Sequence, residues 1–315
     1  MPQSPDPQNP EPQSPDPQSA EPQSAEPHRS EPARPLIDWH TNLWLPEHLG
    51  VEQHAELGRK TGRSVDASPA AHLEHVVAHC EKFVCIAMKW NRLGIHVPNE
   101  FVAEYVQEYR GRAVGFACAD PADATGPADF ERAVVKLGLR GLKFSPVYAG
   151  FHPWSREAWR FYEIANDLKV PILWHQSAAY ATESTLEYGN PILIDKIARA
   201  FPELRMILAH IGQPWISETV LLLRKHRQLY TDLSARYYRK WQCYNALMLA
   251  IDYGVTDQFL FGSDFPIQTP AAARESFRAI NDWGPDVQMP RIPDALIDDI
   301  IYNRPLELLW PEGIA

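Results

Sequence analysis

The sequence contains no window approaching the ~18 consecutive apolar residues that a membrane-spanning helix needs, so no helical span is expected. It also lacks an apolar stretch near its start of the kind a secretory signal carries. Cysteine is scarce. Cys80, Cys85, Cys118 and Cys243 are the four in 315 residues; none forms a C-x-x-C pair and three sit in apolar runs. Reduced, buried thiols of a cytoplasmic protein are the expectation. Basic blocks are missing as well: 30 Lys and Arg face 40 Asp and Glu, a net charge of −10, which leaves nothing to bind a nucleic-acid backbone. No G-x-G-x-x-G follows the first apolar run, which argues against a dinucleotide-binding fold.

Residues 1–35 lack something more basic. Before Leu36 there is no Ile, Leu, Val, Phe, Trp or Tyr, while 11 of the 29 prolines fall here in pentads from PQSPD to PARPL. Such a segment cannot bury enough apolar surface to offset ordering its backbone, and a disordered, polyproline-like tail is expected. Its six acids and two arginines give −4, leaving −6 of the total on residues 36–315.

Those remaining 280 residues suit a single domain close to the ~250 of a (β/α)₈ barrel. Short apolar runs alternate with amphipathic segments. Strands are expected at Leu36–His40, Phe83–Met88, Ala113–Cys118, Gly141–Phe144, Pro171–Trp174, Arg205–Ala209, Leu229–Leu233 and Gln258–Phe261, each followed by a helix. Runs apolar on both sides of the pleat belong to a parallel sheet covered by helices, and eight alternations favour an α/β fold closed into a TIM barrel.

Four runs stop at a chemically capable residue. Leu36-Ile-Asp-Trp-His40, Pro171-Ile-Leu-Trp-His175 and Arg205-Met-Ile-Leu-Ala-His210 end in imidazole, and Gln258-Phe-Leu-Phe-Gly-Ser-Asp264 in a carboxylate. Parallel strands deliver their C-terminal ends to one rim, so these four side chains are candidates for one metal or acid/base site. Lys143 on the fourth strand and Arg236 beyond the seventh are candidates to hold a substrate carboxylate, and Trp44, just past the first strand, to contact a flat substrate.

Ile37-Asp-Trp-His40, Gly141-Leu-Lys143, Trp174-His175, Ala209-His210-Ile-Gly212, Gly262-Ser-Asp264-Phe-Pro266 and Tyr302-Asn303-Arg-Pro resemble the motifs of the amidohydrolase superfamily, in order and spacing, from about residue 36 to 310. They look most like its amidohydrolase-related branch of metal-dependent hydrolases and non-oxidative decarboxylases, the relatives of aminocarboxymuconate semialdehyde decarboxylase and of dicarboxylate lactonases. The resemblance implies a divalent metal, zinc or alternatively manganese, on His40, His175 and Asp264, with His210 as an acid/base residue and Asp264 sharing that catalytic role. The family's D-x-H-x-H reads Asp38-Trp-His40-Thr-Asn42 here, so a carboxamide, at best a weak ligand, stands where the second histidine would be. A metal-free cluster of the same residues is the other reading of the site.

The expected function is a hydrolase that activates a water at the barrel rim against a small carboxylated or cyclic substrate: a lactone, ester or amide. The alternatives are a decarboxylase (a carboxy-lyase) of an aromatic or muconic acid, and a non-catalytic binding barrel. The expected partner is a small molecule, with no nucleic acid or membrane; a homo-oligomer is compatible with the sequence. Because residues 1–35 offer nothing to pack, deleting them should leave melting temperature and turnover unchanged; a drop of several degrees would show that the tail docks.

Overall fold

The computed structural model describes residues 34–50, 59 and 65–313. The expected tail thus lies outside the described residues apart from Arg34 and Pro35. One parallel sheet runs in the order β1 (Ile37–Asn42), β2 (Lys82–Ile86), β5 (Ala113–Cys118), β6 (Leu142–Phe144), β7 (Ile172–Trp174), β8 (Met206–Leu208), β9 (Leu229–Asp232) and β10 (Phe259–Leu260). Its edges join each other. Trp39 N donates to Phe261 O at 2.9 Å, Asp264 N to His40 O at 2.8 Å and Asn42 N to Phe265 O at 2.9 Å, so β10 closes on β1 and the sheet is a barrel. Closure removes the unpaired edges that an open sheet would expose, and it seats the ends of β1 and β10 side by side.

One element was not anticipated. The run expected as a single strand at Phe83–Met88 breaks at Ala87, and Met88–Trp90 (β3) pairs antiparallel with Ile95–Val97 (β4). The left-handed Gly94 at φ +64° turns this small hairpin, which rises above the rim. Between β1 and β2, a four-residue helical turn, Pro69–His72, is capped by the Ser68 hydroxyl and widens into a π-turn at Leu73–Val77.

Two apolar layers hold the barrel. Alternate strand residues such as Trp39, Ile86, Phe116, Leu173, Ile207 and Leu260 point inward and are at most 1% exposed, while a larger layer fills the space between strands and helices. The interior is sealed at one end: Trp310 stacks on Trp39, centroids 6.3 Å apart and planes 4° off parallel, meets Phe116 edge-on, and donates its indole N–H to Arg140 O just before β6. The opposite end, where the strands finish, stays open. Gly141 is required by packing, since a Cβ there would lie 2.3 Å from the Phe116 ring.

β1 is also tied from outside. The fully buried His72 meets Thr41 Oγ1 at 3.0 Å through Nε2 and the Tyr105 hydroxyl at 2.9 Å through Nδ1, while the Thr41 hydroxyl donates to Val84 O. Burial lowers the His72 pKa from 6.5 to about 3. Between those values the unfolded chain takes a proton that the folded chain refuses, so stability falls as pH drops through this window. His72→Gln should make acid destabilisation shallower by up to ~1.4 kcal/mol per pH unit there. Denaturant melts of both proteins between pH 4 and 6.5 check this, and equal slopes would remove His72 from the account.

Candidate active site

Asp232, the last residue of β9, is wholly buried at the open rim. Its Oδ2 meets His40 Nδ1 at 3.0 Å; its Oδ1 accepts from the backbone N–H groups of His210 and Ser234, both at 3.0 Å, and from the Ser234 hydroxyl at 2.5 Å. Burial alone would raise its pKa, but the His40 ring beside it outweighs this and holds the carboxyl well below its ordinary range. An ionised Asp232 only accepts, so His40 Nδ1 carries the proton and Nε2 keeps a lone pair. His210 follows the same logic: its Nδ1 faces the Ser234 carbonyl at 3.0 Å, another pure acceptor, which leaves its Nε2 unprotonated. The two rings lie 5.1 Å apart at 23°.

Asp264 completes the group. Its backbone sits at φ +57°, and His210 at +60°, conformations that cost non-glycine residues about 1–3 kcal/mol and cluster at functional sites. Gly262 lets β10 approach closely, because a Cβ there would lie 3.0 Å from that of His40 and 3.3 Å from that of Ser234. Asp264 Oδ1 is 3.6 Å from His40 Nε2 and accepts from Asn42 Nδ2 at 2.9 Å. Burial raises the Asp264 pKa, with His40 pulling the other way.

His40, His210 and Asp264 present donor atoms within 4.8 Å of one another, the one such group of three among the described residues. The set fits a divalent cation: two imidazole nitrogens whose far nitrogens are held by acceptors, plus a carboxylate. It differs from the set the resemblance implies. His175 lines the same cavity, its ring 4.9 Å from that of His210, but its Nε2 is engaged by Ala178 O at 3.1 Å and the Ser177 hydroxyl at 3.2 Å. It stands outside the three-donor group, and His210 stands inside it. Burial, and then Lys143, lower the His175 pKa to about 3. Asn42 turns its amide nitrogen to Asp264 and, at 2.7 Å, to the carbonyl of Phe265. Since that carbonyl cannot donate, the orientation is fixed and Asn42 meets the site as a hydrogen-bond donor that steadies the carboxylate.

Lys143, 2% exposed, places Nζ 3.3 Å from His40 Nε2. Burial lowers its pKa to about 8, against the pull of Asp264 and Asp232. Arg236 also lines the cavity; its Nε is buried without a hydrogen-bond partner, while its guanidinium, with that of Arg239, bonds the Tyr180 hydroxyl. Trp44 forms a fixed wall, its indole N–H donated to Val65 O at 2.8 Å. The cavity holds about 1060 Å³, its open mouth included. Polar groups gather at its floor, and Met88, Trp90, Leu93 and Ile95 of the hairpin form an apolar wall above. Trp90 stacks on Tyr148 at 4.7 Å, and Tyr148 packs on His175 at 4.8 Å. Sequence reasoning missed Asp232, Ser234 and the hairpin. The first was findable, because Leu229-Tyr-Thr-Asp232 is another strand ending in a carboxylate.

Comparison with known proteins gives the same frame. The family model described as amidohydrolase matches residues 37–308. No protein of curated function matches the chain in sequence. Solved structures with the same fold include an uncharacterised TIM-barrel protein from Bordetella bronchiseptica (19% identity, TM-score 0.66, covering 85% of this chain and 95% of that one). A probable 2-pyrone-4,6-dicarboxylic acid hydrolase from Acinetobacter baumannii with citric acid bound is similar too (15%, 0.61, 87% and 99%). So is a dihydroxybenzoic acid decarboxylase from Polaromonas sp. JS666 with bound manganese and the inhibitor 2-nitroresorcinol (18%, 0.59, 89% and 98%).

The donor geometry sets an expected pattern. After dialysis against Zn²⁺ or Mn²⁺ and removal of free ion, His210→Asn and Asp264→Asn should lose bound metal, whereas His175→Asn should retain it. Metal retained by His210→Asn and lost by His175→Asn would return the ligand role to His175.

Proposed function

The chain belongs to the amidohydrolase family, and from that premise we propose that it is a hydrolase acting on a small carboxylated or cyclic substrate, a lactone, ester or amide. The observation that carries the reading is the meeting, in one cavity, of a three-donor group with a buried guanidinium whose Nε is unpartnered. A buried N–H without a partner is costly, and a carboxylate is the natural group to satisfy a guanidinium. Arg236, with Lys143, would hold the substrate's carboxylate; Trp44 and the hairpin wall would flank its body and exclude water. Asp264, steadied by Asn42, would take a proton from the attacking water and return it to the leaving group. His40, His210 and Asp264 would hold the divalent ion, which supplies Lewis acidity by acidifying water and polarising a carbonyl. Zinc suits two imidazoles and a carboxylate, and manganese is the alternative.

Decarboxylation is the second reading, favoured by the apolar wall. Losing a carboxylate's charge is easier in apolar surroundings, and Asp264 lies in the same cavity as a candidate to protonate the resulting carbanion. Among the described residues no helix is long and apolar enough to cross a membrane, and the four cysteines are free and buried. We take the free thiols to support action in a reducing compartment, the cytoplasm.

A panel of lactones, esters and aromatic or muconic acids, followed for acid release and for carbon dioxide, separates the readings. Acid release alone supports hydrolysis; carbon dioxide supports the second reading; neither, from metal-loaded protein, leaves a binding barrel. Arg236→Met should raise KM for a carboxylated substrate about 10- to 100-fold, the worth of a charge-assisted hydrogen bond. An unchanged KM would remove Arg236 from substrate binding.

A further inference from the structure

Lys143 is among the largest fully buried side chains, on a strand whose other residues, Leu142 and Phe144, are apolar core. A buried ammonium needs strong compensation, normally a carboxylate in direct contact. Lys143 is arranged otherwise. Among the described residues the one hydrogen-bond partner of its Nζ is His40 Nε2 at 3.3 Å. That nitrogen has its lone pair free only because Asp232 holds the proton on Nδ1. It is also one of the three donors grouped within 4.8 Å. The ammonium therefore sits on the lone pair that a metal would take, in the field of Asp264, another member of the group.

We infer that Lys143 is a tethered cation that competes with the divalent ion for His40 and Asp264. Without the ion, its ammonium compensates the carboxylates and caps the His40 lone pair. When the ion binds, Lys143 withdraws into the cavity, where it can meet a substrate carboxylate. An ammonium and a divalent cation at contact distance repel strongly in a partly desolvated site, so the site binds metal more weakly than its donors alone would. The inference rests on the metal reading given above.

Equilibrium dialysis of the full chain against graded Zn²⁺, with Mn²⁺ in parallel, tests it on the parent, Lys143→Met and Lys143→Gln. Methionine keeps the apolar stem. Glutamine keeps a donor for His40 without charge, and serves if the methionine variant does not fold. Both should bind metal at least about tenfold more tightly than the parent, since the repulsion removed is a unit charge at close range. Equal or weaker binding by the variants, from a parent that does bind, would overturn the competition and leave the metal reading standing. No binding by the parent or the variants would overturn both.

Discussion

The carboxylate of Asp232 is the constraint on which the rest of the site depends. Burying an isolated carboxylate costs several kcal/mol, and here the cost is offset by donors from three elements: the His40 ring on β1, the His210 backbone after β8, and Ser234 after β9. The compensation has a directional result. Because Asp232 and the Ser234 carbonyl can only accept, both imidazoles keep their protons on Nδ1, so the opposite nitrogens are free to bind a Lewis acid or a proton. One acid thus sets the tautomer of one histidine and the backbone position of the other.

Closure of the barrel supplies the second half of the site. Hydrogen bonds between the ends of β1 and β10 place Asp264 against His40 and Asn42. The left-handed backbone at His210, Ile211, Ala235 and Asp264 falls at the same rim. Such strain persists where surrounding contacts over-determine it. Here those contacts are visible: the His210 amide is held by Asp232 and the Asp264 amide by the His40 carbonyl. The sealed far end, stacked on Trp310, leaves the rim as the open end of the barrel.

The cavity is uneven, and that unevenness shapes the proposed chemistry. Lys143, Arg236 and the histidines crowd its floor, while the hairpin and Trp44 make its wall apolar. The row from Trp90 through Tyr148 to His175 to His210 runs from the wall to the floor in contacting rings. The same crowding makes Lys143 and a metal ion rivals for one place.

Much of this was legible in the residues themselves. Strand runs that are apolar on both faces can be buried only between a packed interior and a layer of helices, and eight of them in alternation with helices leave a barrel as the natural solution. A polar residue ending such a run is carried to the rim, so His40, His175, His210 and Asp264 could be assigned to one end of the fold from pattern alone. The hairpin escaped because Phe83–Met88 reads as one apolar run; only the pairing of Lys89 with His96 reveals that the chain doubles back. Which nitrogen a histidine offers lay beyond the sequence too, since it depends on partners 192 residues away for His40 and 24 for His210. So did the meeting of His210, rather than His175, with His40 and Asp264 in one three-donor group, which is decided by how far apart the closed barrel sets their donor atoms. Periodicity and burial act along the chain and can be read from it, whereas hydrogen-bond direction is decided by what the closed barrel brings within 3 Å.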